Sequence, residues 1–207
     1  MKLEGIKALL FDWHGVLDLR KFKDVEERIA YYAGKLNSAD LKVLHGRADD
    51  YARGIMFPED SRMTMSPEEF WKFIGSYYQI NPIKVQQDLE SYLISVDELN
   101  KPLWNTLPDL SLKYKLGILS DCPPDKTELI RKEVDLSIFE GRVYFSSEHS
   151  FTKKDSGFFE LALRGLEVLP EQCLFIDDSE KNVEYARRAG LQIHLYQDND
   201  EFLRLVA

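Results

Sequence analysis

Residues 8–11, Ala-Leu-Leu-Phe, form an unbroken apolar run that stops at Asp12, with Gly15 three residues further on. A run of this length without alternation suits a strand buried on both faces, as in a parallel sheet. A carboxylate at the carboxyl end of such a strand, beside a flexible glycine, stands where open α/β sheets bind their ligands. Asp12 also has a plain structural use, which is to start a turn. The other strand ends decide between the two.

The 207-residue chain is long enough for one α/β domain with an insertion, or for one domain and a small second one. Its net charge of −9 argues against non-specific nucleic-acid binding, which rests on Lys and Arg contacts to phosphates. A small anionic ligand stays compatible with that charge, because a metal ion inverts the sign of a local site. The two cysteines, Cys122 and Cys173, cannot build a disulfide framework and have no metal-ligand spacing, so a reducing, cytoplasmic setting is expected. The first five residues lead straight into the first strand, which leaves no room for a signal peptide. No apolar run approaches the roughly 20 residues of a membrane helix, so no membrane partner is expected. Nothing in the sequence specifies a monomer or a dimer.

Beyond the first strand the pattern changes to helices alone. Residues 21–34 carry Phe22, Val25, Ile29, Tyr32 and Ala33 at helical spacing, and Ser38 and Asp40 look like starts for a second helix. Ser66-Pro67-Glu68-Glu69 reads as a helix start, and a further helix is expected from about Pro82. No convincing strand is visible from about residue 21 to residue 110. From residue 114 the chain returns to alternation. Strands are expected at 114–119, 143–145, 173–176 and 192–196, with helices at 125–135, 155–168, 180–189 and 201–206. Gly190 is the expected residue past the end of the helix before it. The predicted fold is therefore α/β, a doubly wound parallel sheet built from residues 1–18 and 111–207, with an all-helical cap inserted at 19–110.

Three of these strands end in polar residues: Asp12, Ser120 and the pair Asp177-Asp178. In a parallel sheet their carboxyl ends share one edge, and Lys153 stands just ahead of a helix on that edge. Clustered carboxylates repel one another, and a divalent cation removes that penalty. Hard oxygen ligands with open positions suit Mg²⁺, whose shell substrate phosphate commonly completes. An aspartate beside such a metal is a usable nucleophile towards phosphorus. Ser120 and Lys153 would then hold the phosphoryl oxygens.

Taken together, these segments resemble the four motifs of the haloacid dehalogenase-like (HAD) hydrolase superfamily. Asp12-Trp13-His14-Gly15-Val16 resembles the first motif except at its third residue, and Ser120 resembles the second. Lys153 resembles the third, with Lys154 and Ser156 in place of its two prolines, and Phe175-Ile176-Asp177-Asp178-Ser179 resembles the fourth. The helical block after the first motif is similar to the superfamily's type-one cap. Residues 53–71 resemble the cap of the epoxide-hydrolase N-domain-like phosphatases, with several extra residues between.

The resemblance implies that Asp12 is the nucleophile and a magnesium ligand, with the His14 backbone carbonyl, Asp178 and Asp177 completing the metal site. It also implies that Ser120 and Lys153 bind the phosphoryl group of a small phosphorylated metabolite. His14 departs from the pattern, because the family's phosphatases carry there a second aspartate that protonates the leaving group and activates water. Such acid–base help is worth roughly 10²–10⁴-fold, and imidazole exchanges protons near neutral pH. Three outcomes stay open: an active hydrolase using His14 or water, a slow one, or an attenuated phosphate-binding or regulatory module. The dehalogenases work without metal, so the Asp177-Asp178 pair argues against that branch. A cap lysine forming a Schiff base is the mark of the phosphonate-cleaving relatives, and nothing singles out Lys21, Lys23 or Lys35 for it. Arg47, Arg53, residues 56–65, Arg20 and Lys21 are candidates for selecting substrate.

Overall fold

The computed structural model of the chain describes residues 3–19, 98–122 and 124–206, with isolated positions at 68, 69, 72, 76, 81 and 83. Strand β1 (Ala8–Phe11) is buried at all four positions, as a two-sided apolar run requires. It lies at the centre of a parallel sheet between β4 (Lys115–Ser120) and β6 (Cys173–Asp177). Strands β5 (Val143–Phe145) and β7 (Gln192–Leu195) close the two edges, giving the order β5-β4-β1-β6-β7.

The two-residue period of a strand sorts its side chains to two faces. Leu9, Phe11, Leu116, Ile118, Leu174 and Ile176 pack into one hydrophobic cluster, while Ala8, Leu10, Leu119, Cys173 and Phe175 pack into the other. The first face is covered by α1 (Lys101–Trp104), α2 (Leu107–Ser111), α3 (Pro124–Glu133) and α7 (Asn199–Val206) through Leu103, Leu107, Ile130 and Phe202. The second is covered by α5 (Ser156–Leu166) and α6 (Glu180–Arg188) through Phe158, Phe159, Ala162 and Ala186. A short α4 (Ser146–His149) follows β5. The expected doubly wound sheet is therefore present, helices on both faces. Gly190, at φ +87°, ends α6 as expected, while the Leu191 amide donates to the Ala186 carbonyl.

One expectation needs correcting. Within the stretch expected to hold no strand, β3 (Glu98–Leu99) pairs antiparallel with β2 (Asp18–Leu19). Two-residue strands have no periodicity to read. This ribbon joins the outgoing and returning ends of the intervening segment, and buried Asn100 fastens it. The Asn100 backbone amide donates to the Leu17 carbonyl, and its side-chain amide donates to the Val16 carbonyl and the Tyr196 hydroxyl. Asn199 donates to the Asn100 side-chain oxygen. Glu68, Glu69, Lys72, Ser76 and Ile83 are helical. The remaining cap expectations, including the helices of residues 21–53, lie outside the described residues.

Candidate active site

In the sheet order, the chain reverses direction of winding between β1 and β6, and open α/β sheets bind ligands at the carboxyl ends beside that point. Asp12 follows β1 and Asp177 ends β6. Continuing the register of β1 and β6 by one residue sets these two carboxylates side by side. The Asp12 amide donates to the Ile176 carbonyl at 2.8 Å, which locks that alignment.

Lys153 reaches this point from the loop ahead of α5. Its ammonium lies 2.8 Å from Asp12 Oδ1 and 2.7 Å from Asp177 Oδ2, and it is 1% exposed. Its loop is held rigidly. The Lys153 amide donates to Asp121 Oδ1, while the Thr152 amide and hydroxyl both donate to Asp155 Oδ2. Burial pushes Lys153 down, but the carboxylates of Asp12, Asp177 and Asp121 outweigh it and hold the ammonium above its ordinary value. Burial pushes the Asp177 carboxyl up, while the Lys153 charge pulls the other way.

Both Asp177 oxygens accept hydrogen bonds. Besides Lys153, they accept from the Ser179 amide at 2.8 Å and from the Asn182 side chain at 3.1 Å. Ser179 sits at the N-cap of α6 but makes no side-chain cap bond, so the ordinary capping role is not what its hydroxyl does. Asp12, Asp177 and Asp178 each offer a carboxylate oxygen, and these atoms lie within 4.8 Å of one another. Three hard oxygen donors against one ammonium leave the cluster net negative, which suits a small divalent cation such as Mg²⁺. Ser120 ends β4, next to β1, and its buried hydroxyl has no hydrogen-bond partner among the described residues. Buried hydroxyls in native proteins are nearly always paired, so this donor fits an anionic ligand arriving beside Asp12.

His14 lies on the turn after Asp12, and Gly15, at φ +81°, supplies the left-handed residue that turn needs. Its imidazole Nδ1 is 2.9 Å from Asp18 Oδ2, and Asp18 Oδ1 accepts from the Gly15 amide at 3.0 Å. Asp18 and Lys126 were not singled out from the sequence. An aspartate four residues after a histidine was the available signal for Asp18; Lys126, early in α3, offered none.

A family model for haloacid dehalogenase-like hydrolases matches residues 6–190. The chain belongs to the haloacid dehalogenase-like hydrolase family. Among its relatives, a D-ribitol-5-phosphate phosphatase of Bacteroides thetaiotaomicron is 24% identical over 194 residues, spanning 90% of both chains. An HAD-family enzyme of the same organism, solved in complex with magnesium and inorganic phosphate, superposes with a TM-score of 0.73 at 19% identity. That match covers 96% of this chain and 98% of the other. The L-2-haloacid dehalogenase of Xanthobacter autotrophicus superposes with a TM-score of 0.60 at 18% identity, covering 96% and 81%. The chain thus shares the HAD fold along nearly its whole length.

Proposed function

We propose that this HAD hydrolase is a Mg²⁺-dependent phosphatase of a small phosphorylated metabolite, working through an aspartyl-phosphate on Asp12. The observation that carries the reading is the Lys153 ammonium bridging Asp12 and Asp177, with Asp178 beside them. Asp12, Asp178 and the His14 backbone carbonyl would hold the metal, with Asp177 acting directly or through water. Mg²⁺, when bound, neutralises the carboxylate cluster and the incoming phosphate.

The chain's own groups do the rest. Asp12 attacks phosphorus, while Lys153 steadies that carboxylate and faces the charge that develops. The buried Ser120 hydroxyl donates to a phosphoryl oxygen. His14 gives a proton to the departing oxygen, then takes one from the water that hydrolyses the aspartyl-phosphate. The segment between β2 and β3 leaves and returns immediately after the nucleophile's turn, which suits an inserted cap that selects substrate and that ends ahead of Glu98, since Leu103, Leu107 and Leu110 pack in the core of the sheet. The phosphatase relative makes a polyol phosphate the first substrate to try.

A phosphate-ester panel beginning with D-ribitol 5-phosphate, with and without EDTA, tests this reading alongside Asp12→Asn. Both treatments are expected to abolish turnover, and activity that survives both sinks the proposal. His14 supports a second reading, an attenuated phosphate-binding module. Comparing wild type with His14→Asp separates the two: if only the variant turns over at an ordinary phosphatase rate, the attenuated reading holds.

A further inference from the structure

Two buried charged residues have no task in that reaction. Asp18 is 2% exposed and Lys126 is 7% exposed, and both lie next to the nucleophile's turn rather than in the cluster around Asp12. Asp18 spends one oxygen on the Gly15 amide and the other on His14 Nδ1. Its backbone is unusually well fixed for a residue just beyond a loop. Its amide donates to the Trp13 carbonyl, and it pairs with Leu99 in the β2–β3 ribbon. The carbonyl of the preceding Leu17 accepts from both the Asn100 amide and the Trp104 indole. A side chain anchored to that extent can hold a partner in one orientation.

His14, by contrast, is one-third exposed, and a ring at that level of exposure would otherwise sample several rotamers. We infer that Asp18 is the positioning residue for the His14 imidazole, accepting the proton of Nδ1 and leaving Nε2 as the nitrogen that meets the leaving group and water. An anionic acceptor bound to one ring nitrogen sets both the tautomer and the orientation of an imidazole. Besides His14, the buried Lys126 cation lies close enough to act on Asp18 electrostatically. A purely structural reading gives Asp18 the single job of closing the turn through the Gly15 amide. The two readings differ in whether the loss of Asp18 depends on His14.

The inference rests on the phosphatase reading, and its test separates the two. Asp18→Asn keeps the shape of the side chain. It is expected to lower kcat about tenfold or more while KM stays within about twofold. In a His14→Ala background the same substitution is expected to change kcat by less than about twofold, since no ring remains to be positioned. An equal loss in both backgrounds overturns the inference in favour of the structural role. A readout that needs no turnover is the ¹⁵N spectrum of wild-type imidazoles above neutral pH. A proton on His14 Nδ1 is expected; an unprotonated Nδ1 overturns the inference even if no panel substrate is hydrolysed or Asp18→Asn does not fold.

Discussion

Lys153 shows how finely the site's charges are balanced at the level of single residues. Its ammonium is buried, and the carboxylates of Asp12, Asp177 and Asp121 make that tolerable. The dependence runs in both directions, since Asp12 and Asp177 are themselves buried and need the cation. Lys153→Met keeps most of the volume but strands two carboxylates, and is expected to destabilise the metal-free protein by about 3–5 kcal/mol in urea unfolding. Activity should be lost with it. The thiols behave oppositely. Burial pushes the Cys173 thiol up to about 12. Cys122 is equally buried, so neither thiol is expected to react with a disulfide reagent until the protein unfolds.

Among the elements, α5 and β7 carry the sharpest consequences. Gly165 lies against the hydroxyl end of Tyr144, and a methyl group at that position would overlap the Tyr144 hydroxyl. Gly165→Ala should therefore destabilise the fold by about 1–3 kcal/mol despite alanine's better helix propensity, as thermal melts would show. On β7, burial pushes His194 below its ordinary value, and its Nε2 has no hydrogen-bond partner among the described residues. A histidine whose folded pKa is depressed binds fewer protons folded than unfolded. Stability is then lost as pH falls through about 6.5, the unfolded value. His194→Phe, which keeps the contacts to Tyr196 and Phe202, should flatten that acid limb of the Tm–pH curve.

The same elements show what could be read in advance. The strands ending at Asp12, Ser120 and Asp177 were legible because burial on both faces writes a continuous apolar run. The helices α5 and α6 were legible from period and from Gly190. The residues α4, β2 and β3 contain are too few to express any period. Within the site, the groups at strand ends could be anticipated from topology alone. Asp121 could not, because its role arises from the Lys153 loop folding back onto it, and Asp18 left only the weak signal of an aspartate four residues after a histidine.

For the whole molecule, the proposed Mg²⁺ site would link metal binding to folding. If Mg²⁺ binds the Asp12–Asp177–Asp178 cluster only in the native state, a hundredfold excess over Kd should add about 2.7 kcal/mol. For a chain of this size that corresponds to roughly 5–10 °C in Tm. Asp178→Asn should largely remove the shift, and scanning calorimetry with Mg²⁺ or EDTA measures it directly.

The β2–β3 ribbon has a further consequence for the architecture. Because Leu19 pairs with Glu98, the chain re-enters the sheet domain at the point where it left. The 78 residues between them are, in connectivity, a side branch on an otherwise closed circuit. Replacing that branch with a two-residue Asn-Gly turn would complete an ordinary hairpin without moving either end. The sheet domain and the inserted segment thus meet at one pair of residues, so an insertion of any length could be accommodated there without a change in the register of the sheet.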